Sequence, residues 1–516
     1  MKARRARGAF VYLASLAALL APRPARATIQ YRVSLDDPAA HRFQVTITVP
    51  VEGRDVVTAL PAWNALYRIR DFSQRLESIR GLCIGPTHVP LEKRQLDKDT
   101  WHFWLEGPCQ PGDRNVLQIE YLIEWNSPGP FNSQLDSRHA FMNLAEILMY
   151  LPDRRNENVS VQFADLPPGW RTVAELASTG NNSYTASSYD QLVDAPVEAG
   201  QFEEFEFAQA GGHFRVVVDA HPWNRAVLED ALHRITEYEL NLMGGAPFDP
   251  PNREYTFFFH IGPGGDLEGG GMEHRNSTAI SATSTEAAIA IAAHEFFHVW
   301  NVKRIRPQSL EPVDYSKEQY TRALWFAEGV TSAYASFTLE RTGLWSKLRF
   351  YDDLAEQIDE LQRRAARQWQ SVEDSSLEAW FEKYDFYNLP EHSISYYNKG
   401  QILGLLLDLA IRDLTDNRKS LDDVLRRMNQ EYGRPGKFYD DSVGIRAVVE
   451  EVSGKSFADF FHLYVSGTDE IPFSKFLSVA GLEVKTAAGR LSVCEVAHPT
   501  DRQRRILDGM LRGSTD

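Results

Sequence analysis

Four side chains that could carry out metal-dependent hydrolysis lie in two short segments of the chain. His294, Glu295 and His298 occur in Ala-Ala-His-Glu-Phe-Phe-His-Val-Trp, and Glu328 occurs in Leu-Trp-Phe-Ala-Glu-Gly. On a helix, residues four positions apart share a face, so the two imidazoles can bind one ion. Glu295 lies about 100° further round the helix, outside the coordination shell but within reach of a water on that ion, which it can deprotonate. The spacing therefore predicts a single-zinc site with Glu295 as general base.

The residues around the histidines favour a helix over 284–303. Thr283 and Glu286 form a predicted capping box before an alanine-rich run, and Pro307 bounds the far end. The alternative is an amphipathic core helix whose two histidines are purely structural.

Glu328 is the best candidate for the third protein ligand that a catalytic zinc requires. Ser316 and Gln319 form a second predicted capping box, so Glu328 is expected in the middle of a helix from 317 to about 341. A carboxylate among large apolar side chains is costly to bury unless it meets a cation. Gly329 costs a helix about 1 kcal/mol relative to alanine, which indicates a close backbone approach. The alternative is an exposed glutamate on an ordinary helix.

With these segments, the chain resembles the gluzincin metallopeptidases of the glycyl aminopeptidase type. The resemblance rests on four segments in the same order, namely 270–278, 294–307, 325–329 and 395–400. The most specific is the second, His-Glu-Phe-Phe-His-Val-Trp-Asn-Val-Lys-Arg-Ile-Arg-Pro. Together they cover roughly residues 255–415.

The resemblance implies roles for the site residues. Zinc, one ion, is held by His294, His298 and Glu328, while Glu295 activates the zinc-bound water and relays its proton to the leaving amine. Tyr397 matches the tyrosine whose phenol donates a hydrogen bond to the tetrahedral oxyanion, a role consistent with the need for a neutral donor there. Its neighbour Tyr396 is the alternative candidate for this hydrogen-bond donor. The third possibility is that the two tyrosines are a buried aromatic pair without a catalytic role.

The segment Gly-Gly-Met-Glu-His bears on the choice between exopeptidase and endopeptidase. In similar gluzincins it lines the cleft, with backbone that pairs with the substrate and a glutamate that binds the free amino terminus. Here these residues are Gly270, Gly271 and Glu273, and His274 is expected to line the cleft. A desolvated ammonium needs a compensating anion. The alternative is a flexible surface loop with a solvated Glu273.

Other charged residues are expected to be structural. Lys303, Arg304 and Arg306 follow the zinc helix, where cations favour the helix dipole and can pair with carboxylates of a neighbouring domain. Direct contact with a substrate carboxylate or carbonyl is the alternative. His260 has no metal-site spacing and is expected to be structural.

Composition and the two ends of the chain set the cellular context. Residues 1–27 read as a signal peptide, with a basic start, an apolar run and the small-residue site Ala25-Arg26-Ala27. Its removal leaves 49 basic against 71 acidic residues, a net charge near −22 that argues against nucleic acid or an anionic membrane as partner. Cys83 and Cys109 could pair in an oxidising compartment. A periplasmic or secreted protein is expected, without membrane attachment after signal cleavage.

The predicted fold is multidomain α+β. An N-terminal β-sandwich-like domain (28–220) is followed by a thermolysin-like α+β zinc catalytic domain (221–400), a helical part of the catalytic region (401–481) and a C-terminal tail (482–516). The tail is too short for the PDZ domain that commonly follows in the family.

The predicted function is that of a zinc-dependent aminopeptidase acting on peptides with a free amino terminus, with a preference for glycine or alanine that the resemblance implies. The alternatives are a zinc endopeptidase and a secreted binding protein with a structural metal site.

Overall fold

The computed structural model describes residues 29–64, 67–109, 114–220, 222–248, 253–262, 269–382, 389–487 and 489–513. The predicted signal peptide lies outside the described residues.

The first part of the chain is built mainly from strands. In chain order they are β1 (Ile29–Ser34), β2 (Arg42–Glu52), β3 (Asp55–Ala59), β4 (Leu76–Cys83), β5 (Val89–Pro90), β6 (Glu92–Gln95), β7 (Thr100–Trp104), β8 (Arg114–Glu124), β9 (Gln134–Leu135), β10 (His139–Met142), β11 (Val159–Ala164), β12 (Arg171–Ala174), β13 (Ala177–Gly180), β14 (Ser183–Ala186) and β15 (Val197–Gly200). Two short helices, α1 (Leu144–Ile147) and α2 (Tyr189–Val193), interrupt them.

These strands form three sheets around one apolar core. The sheets have the orders β13-β14-β11-β1-β2-β8-β4-β5, β3-β7-β6 and β12-β15-β10-β9. Strand β2 shows why the sequence folds this way, because Phe43, Val45, Ile47 and Val49 are fully buried while the residues between them face outward. A disulfide joins Cys83 in β4 to Cys109, as the sequence allowed.

The second part contains a five-stranded sheet that carries one wall of the site. Its strands are β16 (Glu203–Gln209), β17 (Gly212–Ala220), β18 (Glu254–Ile261), β19 (Gly270–Glu273) and β20 (Ser277–Ala282), in the order β16-β17-β18-β20-β19. The predicted domain boundary at residue 220 is therefore wrong by two strands. β17 pairs in parallel with β18, so 203–220 belong to this five-stranded sheet. Their hairpin pattern could not reveal this, because alternation alone does not say which sheet a strand joins.

The five-stranded sheet is covered on both faces. Helices α3 (Arg225–Met243) and α4 (Thr285–Phe297) belong to the apolar core on one face. On the other face Val217, Phe258 and Ala279 contact Phe141 and Val173 from the β12-β15-β10-β9 sheet. The two parts of the chain thus meet sheet against sheet.

The rest of the chain is mainly helical. It contains α5 (Thr331–Arg341), α6 (Lys347–Arg363), α7 (Val372–Leu377), α8 (Ala379–Glu382), α9 (Tyr396–Leu414), α10 (Leu421–Met428), α11 (Asp441–Ser453), α12 (Ala458–Phe460) and α13 (Phe473–Ser478), with β21 (Arg306–Pro307) paired to β22 (Phe438–Tyr439). Wider π-helical turns occur at Trp325–Val330, Asn429–Gly433 and Phe461–Val465, and short 3₁₀ turns at Pro38–Ala40, Phe72–Arg75, Pro152–Arg154, Gln308–Leu310 and Ala365–Gln368. Within the described part of the chain, no helix has the length and apolar character needed to cross a membrane.

The segment predicted as a C-terminal tail is folded. It forms the hairpin β23 (Leu482–Ala487) and β24 (Arg490–Glu495) and the helix α14 (Asp501–Arg512). Ile506 and Met510 are buried, and the Arg341 guanidinium donates to the carbonyl oxygen of Met510 at 2.7 Å. The segment is too short to fold alone and is stabilised by its packing on the helical region.

Candidate metal centre and active site

Helix α4 brings the two predicted histidine ligands together. Their Nε2 atoms lie 3.0 Å apart. The helix begins one residue later than predicted, because the Ser284 hydroxyl, not that of Thr283, accepts the Ala287 N–H. It also ends at Phe297 instead of extending to residue 303.

The end of α4 at Phe297 gives His298 a hydrogen-bond partner. The chain turns so that the Asn301 carbonyl accepts a hydrogen bond from His298 Nδ1 at 2.6 Å, and His294 Nδ1 lies 3.3 Å from the Ser332 hydroxyl. Each imidazole thus has a partner on Nδ1 that leaves Nε2 available to an ion. Asn301 and Ser332 were not expected from the sequence; Ser332 falls four residues after Glu328, a spacing that could have indicated it.

Glu328 completes the cluster from a π-helical turn, Trp325–Val330, that continues into α5. Its Oε2 lies 3.5 Å from His294 Nε2 and 3.3 Å from His298 Nε2. Turns of this kind occur frequently at functional sites. The three predicted ligands therefore converge, with their donor atoms all within 4.8 Å of one another.

The helix that carries Glu328 does not start at residue 317, as the second capping box predicted. The Ser316 hydroxyl donates to Asp314 at 2.6 Å, and the Gln319 amide donates to the Pro312 carbonyl at 3.0 Å. Both side chains stabilise a loop instead of a helix end. The local capping pattern is present, but tertiary contacts of the loop use its residues differently.

Gly329 shows the close backbone approach that its position indicated. A Cβ on Gly329 would lie 2.4 Å from the Gly400 Cα, and a Cβ on Gly400 would lie 2.3 Å from the Trp325 carbonyl oxygen. Helix α9 therefore crosses the Glu328 turn backbone to backbone. This contact sets the distance between Glu328 and the tyrosines at the start of α9.

Tyr397, not Tyr396, lines the cleft. The Tyr397 ring lies 6.3 Å from that of His294, centroid to centroid, whereas Tyr396 stacks behind it and is buried. Burial, with Glu328 adding to it, holds the pKa of Tyr397 well above its ordinary value. The phenol is thus neutral at neutral pH and able to donate a hydrogen bond.

Glu295 is buried beside strand β19. A Cβ on Gly271 would lie only 2.3 Å from Glu295 Cγ and 2.4 Å from Cδ and Oε1, so this position requires glycine. Glu273, Glu295 and His298 offer atoms that all lie within 4.8 Å of one another. The general-base candidate therefore stands between the metal cluster and the carboxylate predicted to bind the substrate amine.

Strand β19 presents the other predicted substrate residues. It pairs antiparallel with β20 and is the last strand of its sheet, so it can offer its outer edge to an extended peptide. Gly270, Gly271, Glu273 and His274 all line a cleft of about 680 Å³. His274 is almost fully buried and its Nδ1 lies 3.5 Å from Asp194.

The N-terminal part contributes a wall of the cleft that had no sequence signal. Trp63, Tyr67 and Phe131 line it from loops between strands. The Trp63 indole donates to the Asp314 carbonyl at 2.7 Å, which connects this wall to the loop before the Glu328 turn.

The cations after α4 have mainly structural partners. Lys303 Nζ lies 2.9 Å from Asp194, which confirms the expected pairing with a carboxylate of the neighbouring domain. Arg304 donates to the carbonyl oxygens of Arg275 and Val299, and Arg306 pairs with Glu311. Lys303 and Arg306 also line the cleft, so substrate contact by these two stays open.

The electrostatics of the cluster favour a cation. Burial alone would raise the pKa of Glu328, but His298 and His294 outweigh it and hold that pKa well below its usual range. Burial opposes a charge on His298, yet Glu328, with Glu273 and Glu295 adding to it, raises the pKa of His298 to about 10. Two imidazoles, each with a partner on Nδ1, and one carboxylate fit the donor set of a catalytic zinc.

Comparisons with known proteins agree with this geometry. The M61 glycyl aminopeptidase profile matches residues 287–403, and the peptidase M61 N-terminal domain profile matches residues 30–201. No curated protein sequence matches the chain significantly.

Solved structures are similar over most of the chain. An aminopeptidase N family protein from Idiomarina loihiensis is 25% identical with a TM-score of 0.82, covering 89% of this chain and 79% of that one. An M1 zinc metallopeptidase from Deinococcus radiodurans shares the fold, with 14% identity, a TM-score of 0.50 and coverage of 86% and 94%. A mutant of that enzyme bound to a Tyr-Ser-Ala substrate gives 13% identity, a TM-score of 0.51 and the same coverage. The two family profiles together span more than half of the 516 residues, and the chain therefore belongs to the M61 glycyl aminopeptidase family and is a metallopeptidase.

Proposed function

We propose that the chain is a zinc aminopeptidase that removes small residues, glycine or alanine, from the amino terminus of peptides. The observation that carries this proposal is the convergence of His294, His298 and Glu328 beside a carboxylate-lined edge strand. These three residues would hold one zinc ion in the cleft. When bound, zinc supplies a Lewis acid that polarises the scissile carbonyl and makes water a nucleophile near neutral pH.

Glu295 is the proposed general base. It would accept a proton from the attacking water and deliver it to the nitrogen of the departing peptide. Its position supports this role, because its carboxylate end lies so close to the Gly271 backbone that a Cβ there would meet Glu295 Cγ at 2.3 Å.

Tyr397 is the proposed oxyanion donor. Its ring faces the cleft beside His294, and its high pKa keeps the phenol proton in place. A neutral hydrogen-bond donor fixed in position stabilises the charge that develops on the carbonyl oxygen and needs no rearrangement during the reaction.

Glu273 is the proposed site for the free amino terminus. It ends the edge strand β19, where a substrate backbone would pair, and lies close to Glu295 and His298. A carboxylate so close to the reacting atoms would compensate the charge of one desolvated ammonium group. It would disfavour a peptide that extends past this point, because such a peptide has no ammonium group there. The proposed preference for glycine or alanine is supported by the family description and by the large Phe131 ring, which lines the cleft beside Gly270.

The test compares a short alanine-led peptide with its N-acetylated form. The wild type should cleave only the free peptide, and Glu273→Gln should lose most of its kcat/KM on it. Glu295→Gln should retain zinc and fold but lose about 10²- to 10⁴-fold in kcat. Glu286→Gln is the matched control, because Glu286 is exposed on the same helix. Cleavage that survives acetylation would support the endopeptidase alternative, and a folded, zinc-loaded protein that cleaves nothing would support the binding protein.

We also propose export to the periplasm or the medium. The Cys83–Cys109 disulfide supports it, because such bonds persist in oxidising compartments. Thiol labelling of protein from separated cell fractions tests this, and reduced cysteines in a protein found only in the cytoplasm would contradict it.

A further inference from the structure

A second cluster of potential metal ligands lies where the two sheets meet. His139 Nδ1 is 2.9 Å from Glu198 Oε1, and His260 Nε2 is 3.0 Å from Glu198 Oε2. Asp219 Oδ2 lies 3.6 Å from the same His139 nitrogen. The side chains of His139, Glu198 and His260 are 8%, 1% and 11% exposed, so these three groups lie in the interior, whereas Asp219, 33% exposed, lies at the edge of the cluster.

The strands of both domains position this cluster. His139 and Glu198 lie on β10 and β15, which pair so that His139 faces Gly200; a Cβ on Gly200 would meet the His139 Cβ at 3.1 Å. From the other side, β17 and β18 place Asp219 opposite His260 in register. Side chains on strands are better fixed than side chains on loops, and fixed donors are what a metal site requires.

A buried hydroxyl points to an additional partner at this site. Ser281 on β20 pairs with His260, and Ala279, two residues before it, faces the N-terminal sheet with Phe258. Because alternate strand residues share a face, Ser281 lies beside His260 on that same face. Its side-chain oxygen is fully buried and has no hydrogen-bond partner within the described part of the chain. A bound ion or its water would satisfy it.

The buried donor atoms lie close enough together to share one ion. One ligand atom each from His139, Glu198 and His260 lies within 4.8 Å of the other two, as in the cluster of His294, His298 and Glu328. Zinc bonds to nitrogen and oxygen of about 2.0–2.2 Å in a tetrahedron separate ligands by roughly 3.4 Å. Two neutral imidazoles and two carboxylates also balance the charge of one divalent ion.

We infer that His139, Glu198 and His260, with Asp219 at the edge, form a second, structural metal site for a divalent transition ion such as zinc, which fastens the N-terminal sheet to the five-stranded sheet. No spacing along the chain indicated this site, because its ligands are far apart in sequence and come together only when the two sheets pack. The site is separate from the catalytic cluster, so its existence does not depend on the proposed catalytic roles.

The competing explanation is a hydrogen-bonded bridge in which Glu198 accepts from both imidazoles without an ion. Burial opposes a charge on His139, but Glu198 and Asp219 raise the pKa of His139 to about 9. Such a bridge contributes stability that is fully present below the ordinary histidine pKa of about 6.5 and lost as the pH rises through about 9. An ion would remove this dependence, because both imidazoles would then stay neutral.

The test is zinc stoichiometry of the full chain. Protein stripped by a chelator is titrated with Zn²⁺ alone and the bound metal is measured. The wild type should bind two equivalents, His139→Asn and Glu198→Gln one, and His294→Asn one. The second equivalent should raise the melting temperature of the wild type by several degrees but leave that of His139→Asn unchanged. His102→Asn is the matched control, because His102 faces one carboxylate, Asp55, at 3.2 Å, and should retain both equivalents.

One equivalent in the wild type, unchanged in His139→Asn and lost in His294→Asn, would overturn the inference. Stability of the metal-loaded wild type that falls as the pH rises through about 9 would also overturn it in favour of the bridge. If His139→Asn does not fold, two other measurements decide the question. They are the titration of the wild type and that of Glu198→Gln, a variant that keeps the size of the side chain and a hydrogen-bonding oxygen.

Discussion

Substitution of Gly271 by alanine should inactivate the enzyme without removing its metal. The new Cβ would lie 2.3 Å from Glu295 Cγ and 2.4 Å from Cδ and Oε1. Carbon atoms in contact are ordinarily separated by about 3.5–4.0 Å. The Glu295 carboxylate or the β19 backbone must therefore move by about 1 Å or more. A misplacement of that size costs roughly 10²-fold in rate, and complete loss of a general base costs about 10²- to 10⁴-fold.

The assay is kcat for an alanine anilide that releases a chromophore, with zinc content and melting temperature measured on the same samples. Zinc should be retained, because the three nearest atoms to the new Cβ all belong to Glu295 and none to the ligands. Gly262→Ala is the control, since a Cβ there meets nothing within 4 Å. A Gly271→Ala enzyme with kcat within about threefold of wild type would refute the role of Glu295 as a positioned base.

Three further substitutions test the surroundings of the site. Tyr397→Phe removes one oxyanion donor and should lower kcat by about 10²- to 10³-fold with little change in KM; an unchanged kcat would exclude the role. Gly329→Ala places a Cβ 2.4 Å from the Gly400 Cα, where only the backbone could move to relieve the clash. It should therefore lower the free energy of unfolding by about 3 kcal/mol or more and weaken zinc binding. A melting temperature equal to that of the wild type would contradict this. Burial would raise the pKa of Asp194, but Lys303 outweighs it and the pKa is lowered. Asp194→Asn should therefore cost about 2 kcal/mol in urea unfolding at pH 7. The difference from wild type should begin to shrink below about pH 4, the unfolded pKa, and disappear only when the pH has fallen through the lowered pKa of the folded state; a difference independent of pH would contradict it.

The convergence of His294, His298 and Glu328 could be predicted from the sequence because it depends on local spacing and burial. The spacing of His294 and His298 fixes their relation once a helix forms, and the cost of burying Glu328 among apolar residues indicates a cation. Gly329 indicated a close approach, although not that Gly400 would be the partner. Tyr397 and Tyr396 could not be distinguished, because only the packing of α9 decides which ring faces the cleft.

The errors come from features that depend on long-range packing. The capping pattern at Ser316 and Gln319 is correct as a local signal, but the loop uses both side chains to bind Asp314 and Pro312. The strands at 203–220 look like a hairpin of the first domain until β17 pairs with β18. The contact of His260 with Glu198 and His139 forms only across a sheet interface, so no spacing along the chain could have indicated it.

The central claim is most directly tested by anomalous diffraction at the zinc absorption edge from crystals of the active enzyme. The structure predicts a peak in the cleft at about 2.0–2.2 Å from His294 Nε2, His298 Nε2 and a Glu328 carboxylate oxygen. An active enzyme with no peak between these three side chains would contradict the account.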